Sequence, residues 1–131
     1  MGHNIRWDNE DKTVVLQEYT DGATKDDFYQ LAQKSSEMLK TVRHTVCLII
    51  DERKINLILE SSDLTYLKEL VPENEGAAVV IVPPSKIKFK LAFLNLSKQV
   101  MWKTYANTYY VESLEEARQL LQEMYDVRYP S

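Results

Sequence analysis

Two carboxylates close together in the chain, Asp51 and Glu60, are the residues best placed for chemistry. Asp51 ends the run TVCLII, an unbroken apolar stretch that reads as a strand buried on both faces. An acid at the carboxyl end of a central strand lies where open α/β sheets place their sites. A Glu60 brought beside it would make a pair able to move protons or hold a cation. The plainer reading is that Asp51 turns into solvent or caps the next segment. Just beyond, Ser61 and Ser62 open a helix. Either hydroxyl can accept a first-turn amide, worth about 0.5–2 kcal/mol. Either can also carry a phosphate, whose charge of about −1.5 to −2 suits a helix N-terminus. Glu60 and Asp63 flank the pair, however, and their like charge opposes that gain. The cap outweighs the phosphosite.

Other chemistry is excluded more firmly. The only glycines are Gly2, Gly22 and Gly76, so no glycine-rich phosphate loop can be built. His3 and His44 are the only histidines: His3 is expected in a disordered start, and His44, just before a strand, in a solvated or capping role. Cys47 is the single cysteine, which rules out an internal disulfide and a thiolate zinc site; its apolar neighbours make it a buried, inert thiol. No nucleophile, base or metal set converges, so no catalytic residue, metal or cofactor is expected. The net charge of −4 argues against nucleic-acid binding, which rests on clustered cations. No apolar run approaches the ~20 residues of a membrane span, no signal core precedes the fold, and Arg6 breaks the myristoylation pattern after Gly2. A cytoplasmic setting is the expectation.

Several elements position these residues. Ile5 to Asp8 is expected as a short edge strand, and Thr13 to Tyr19 as a strand antiparallel to it. Thr24 and Asp27 form a capping pattern for a helix with Phe28, Leu31, Ala32, Ser35, Leu39 and Val42 on its core face. The buried strand and the Ser61 or Ser62 helix follow; the connection INLIL reads either as a loop under the sheet or as a short extended segment. Ala77 to Val82 is a second buried strand, stopped by Pro83-Pro84. A third helix runs from Ser85 toward Trp102, and Tyr105 to Val111 is a more polar strand near an edge. Ser113 and Glu116 cap the last helix, lined by Leu114, Ala117, Leu120, Leu121 and Met124; Arg128 to Ser131 reads as a tail. Strands separated by helices imply right-handed crossovers. The expected fold is a single α/β domain over residues 1–131, with a mixed, mostly parallel sheet covered by about four helices.

The third helix carries more apolar residues than one core stripe needs, Phe89, Phe93, Leu94 and Trp102 among them. That surplus must meet the sheet, a partner subunit, a small apolar ligand or a membrane surface, core packing plus a homodimer contact being the plainest reading, with Lys86, Lys88 and Lys90 as a basic patch beside it.

This order of elements resembles the STAS domain, in its SpoIIAA-like branch related to anti-sigma-factor antagonists. The resemblance covers nearly the whole chain as a pattern. In that family a central strand ends in Asp and an Asp-Ser-x-Gly segment opens the next helix. Here the strand is CLIID and the helix start is Glu60-Ser61-Ser62-Asp63, so Ser61 matches the phosphorylatable serine. Glu60 stands for Asp and Asp63 for Gly, which weighs against phospho-switching. The resemblance implies a non-enzymatic regulatory or binding module acting through a protein partner. It also implies, as an alternative, binding of a lipid or other small apolar ligand. An enzyme using Asp51 and Glu60 is the third and weakest reading.

Overall fold

A computed structural model describes residues 2–55, 58–92 and 107–130. The chain runs β1 (His3–Trp7), β2 (Val14–Tyr19), α1 (Lys25–Leu39), β3 (Val46–Asp51), α2 (Ser61–Leu70) and β4 (Glu75–Ile81). A 3-10 turn (Pro84–Lys86) then leads into helical residues 87–92 (α3), followed by β5 (Thr108–Val111) and α4 (Leu114–Tyr125). The five strands form one sheet in the order β1-β2-β3-β4-β5. β1 is antiparallel to β2, and the other three pairings are parallel.

That strand order decides where the helices go. Crossovers between parallel strands are almost always right-handed. When successive strands are also neighbours, each such crossover returns over the same face. The helices α1, α2 and α3 therefore share one side, and α4, after the last strand, covers the other. Side chains alternate accordingly. Val14 and Leu16 of β2, Cys47 and Ile49 of β3, and Ala77, Val79 and Ile81 of β4 pack with Ala117 and Leu121 of α4. On the opposite face Val15, Val46 and Leu48 meet Leu39 of α1, and Tyr19 meets Phe28 and Leu31. β3 is covered on both sides, which is why its run shows no polar alternation.

Some local details differ from the sequence expectation. His3 is an ordered, buried member of β1: its Nδ1 lies 2.6 Å from Asp27 Oδ1, and Lys34 Nζ lies 2.9 Å from its Nε2. Asp27 also accepts the Thr24 amide at 2.8 Å, so one carboxylate joins the start of α1 to the edge strand. The C-terminal segment is anchored rather than loose. Asp8 receives Arg118 at 2.7 Å and the Tyr129 hydroxyl at 2.5 Å, and Asn9 Nδ2 donates to the Arg128 carbonyl at 3.0 Å. Met124 is exposed, because the buried face of α4 rests on Ala117 and Leu121. His44, in the expected capping role, lies 2.8 Å from the Lys12 carbonyl.

Ile49 has no exposed surface and sits on the central strand beneath α4. Ile49→Ala is expected to lower stability by about 2–5 kcal/mol, read as a shifted midpoint in urea unfolding with an unchanged slope.

Candidate functional site

The face that carries α1, α2 and α3 is incompletely filled. Its floor is every second residue of four strands: Gln17 and Tyr19, Leu48 and Ile50, Ala78 and Val80, Thr108 and Tyr110. One wall is the α1 stripe Phe28, Ala32, Ser35 and Ser36, and the other is Leu67, Leu70, Val71 and Pro72 at the end of α2. Small side chains at Ala32, Ser35, Ser36 and Ala78 leave room between them. The helix α2 packs on α1, with Asp63 its only buried residue, and Leu67 and Leu70 face the gap. The result is a cavity of about 300 Å³. That is about twice the ~150 Å³ of an engineered cavity that holds benzene, and at the lower edge of ordinary ligand pockets.

The cavity has two chemically different ends. At the carboxyl ends of the strands its lip consists of Glu52, Ile58, Leu59, Phe89 and Lys90. Ile58 and Phe89 are 74% and 70% exposed, a large apolar surface turned to solvent beside the opening. Glu52 Oε1 lies 3.6 Å from Lys90 Nζ. Burial pushes the Glu52 carboxyl above its usual range, and the Lys90 charge opposes that shift. The Tyr19 hydroxyl is held far above its usual range by burial and then by the charges of Glu52 and Asp27, so it stays protonated.

At the other end stands Glu75, the first residue of β4. The pairing of β3 with β4 shifts register between Val46 and Leu48: Val46 is opposite Glu75, but Leu48 is opposite Ala78. One extra residue in β4 thereby brings Glu75 onto the cavity face that Ala78 and Val80 occupy. Asn74 fixes this corner, its Nδ2 donating to the carbonyls of Leu39, His44 and Val42 at 2.9, 3.0 and 3.3 Å. Ser36 Oγ donates to the Leu70 carbonyl at 2.9 Å and ties the two walls together. Burial raises the Glu75 carboxyl to about 7, with no charge or hydrogen bond among the described residues opposing it. In the α1 wall, Ser35 is 4% exposed and its buried Oγ has no hydrogen-bond partner among the described residues.

The polar residues singled out by sequence, Asp51, Glu60, Ser61 and Ser62, do not line this cavity. Asp51 is held by Arg53, whose Nε and guanidinium NH2 donate at 3.0 and 2.7 Å. Glu60 is exposed and lies 3.5 Å from Lys25 Nζ. The two carboxylates thus have different cationic partners, and neither lines the cavity. The cap of α2 is Glu60 rather than either serine: its amide donates to Asp63 Oδ2 at 2.8 Å. Asp63 is buried, accepts from the Tyr29 hydroxyl and lies 3.0 Å from Lys25 Nζ. Tyr29, the Glu60 amide and Lys25 together hold its carboxyl down at about 2. Ser61 and Ser62 are exposed in the first turn. Phe89 lines the cavity lip, whereas Phe93, Leu94 and Trp102 lie outside the described residues.

Glu52, Glu75 and the buried hydroxyl of Ser35 were not singled out from the sequence as site groups. The only sequence signal for Glu75 is an acid opening an apolar strand. Among the described residues no three His, Cys, Asp or Glu side chains are grouped to hold a metal ion. No described helix is long and apolar enough to cross a membrane.

A carboxyl whose folded value is raised binds its proton more tightly in the native state. Its contribution to stability is full below about 4.5, the unfolded value, and is lost as pH rises through about 7. Glu75→Gln is therefore expected to be more stable than the parent at alkaline pH, by up to about 3 kcal/mol, and nearly equal to it in acid. Urea unfolding across the pH range checks this, and parallel curves for the two proteins would contradict it. Among known proteins, no family model, no curated protein and no solved structure matches this chain.

Proposed function

We propose that this chain is a non-enzymatic binding module that takes one small, largely apolar molecule, such as a short lipid chain, between its sheet and α1–α3. The observation that carries this reading is the cavity itself, walled by apolar side chains and open beside Ile58 and Phe89. A few polar groups set in a mostly apolar concavity is the usual composition of a ligand site. Binding fits better than catalysis because Asp51 and Glu60, the acids expected to work as a pair, are engaged by Arg53 and Lys25 instead.

The neutral dye Nile red tests the reading. The parent protein is expected to bind it saturably at one site with a blue-shifted emission. Ala78→Phe, which projects a ring into the cavity from the middle of its floor, is expected to weaken binding by roughly tenfold or more while the fold persists. Equal binding by both proteins sinks the proposal. Native mass spectrometry gives an independent view: a co-purifying small molecule supports the cavity, and a ligand-free homodimer supports an interface at the exposed apolar lip.

A second reading, a regulatory module that acts through a protein partner, is favoured by one observation. Ser61 and Ser62 are exposed in the first turn of α2, with Lys25 near the same turn. Treatment with ATP and a serine kinase of the antagonist-directed type should then add one phosphate, seen by intact mass and absent from a Ser61→Ala, Ser62→Ala variant. An unmodified parent protein counts against this second reading.

A further inference from the structure

The unpaired acid inside the cavity narrows the class of ligand, granted that the cavity binds one at all. A wholly hydrocarbon ligand would strip the remaining water from Glu75 and leave its carboxyl with nothing to bond. That desolvation subtracts from whatever the apolar contacts gain. A ligand with a carboxylate at this end would meet Glu75 as a like charge. A protonated amine would do the opposite, supplying positive charge and several N–H donors to an acceptor that lacks them.

The lip cannot play the same part, because Glu52 is already beside Lys90. Orientation follows from the register. Val46 is opposite Glu75 and Asp51 is opposite Ile81, so Glu75 and Glu52 lie at opposite ends of the strands. Six residues at ~3.3 Å each separate the two ends by about 20 Å. We infer that the cavity selects a small amphiphilic amine, its ammonium group against Glu75 and its hydrocarbon body directed toward Ile58 and Phe89.

Three probes of equal chain length separate this inference from the reading it rests on: n-octylamine, 1-octanol and octanoate, each competing with Nile red. An alkylammonium stays charged as lysine does, and the assay is run at about pH 8, where Glu75 is ionised. The amine is expected to displace the dye at roughly tenfold lower concentration than the alcohol, with octanoate weakest. Glu75→Gln should bring amine and alcohol to within about threefold of one another, each displacement being referred to that variant's own dye affinity. If Nile red binds but octanoate equals the amine, or if Glu75→Gln leaves the preference intact, the inference fails and the binding module stands. If no probe binds, both fail.

Discussion

The structure depends on one topological constraint: β2 to β5 lie side by side in chain order and all run the same way. Crossovers of a single hand then return over one face only. Three helices must share that face, while α4 alone seals the other. The two sides differ in consequence. Beneath α4 the side chains of Leu16, Ile49, Val79, Ile81 and Leu121 are fully buried or within 1% of it. On the crowded side α1 packs on β1 and β2, and α2 packs on α1, with Leu67 reaching the cluster of Tyr19, Phe28 and Leu31. The space left between α2 and the floor is the cavity.

The cavity is held open by polar contacts between α1 and α2. Asp63 fastens the start of α2 to Tyr29 and Lys25 of α1, and Ser36 fastens its end through the Leu70 carbonyl. With both ends of α2 tied to α1, the helix has little freedom to slide down and close the gap. Asn74 holds the corner from which Glu75 projects. Close-packed interiors ordinarily leave no void much larger than a water molecule. Here small side chains on the helix stripe and the floor preserve one, and a desolvated acid faces into it. An acid kept at a cost to stability is the kind of local exception that functional sites show.

Much of the fold was legible in the chain. The run TVCLII, with no alternation, announced a strand covered on both sides, and β3 is that strand. Thr24 with Asp27 and Ser113 with Glu116 marked the starts of α1 and α4, where the structure begins them. The site was much less legible. Asp51 was the acid that a strand-end argument selects, yet Glu52 faces the cavity, because neighbouring side chains point to opposite faces. Glu75 reaches the cavity only through a register shift that no local pattern signals. His3 passes for a loose terminal residue until Asp27, 24 residues away, is brought beside it.

The sequence by itself determined the element order, the mixed and mostly parallel sheet, and the absence of any glycine-rich phosphate loop or disulfide. These follow from periodicity, capping and residue inventory, all of which act over a few neighbouring residues or over the chain as a list. Only the tertiary structure decided that three helices share a face, that α2 packs against α1, and that Glu75 lines a cavity with Phe89 at its lip. Those outcomes depend on register and on packing between segments far apart in the chain, where a shift of a single residue turns a side chain from core to cavity.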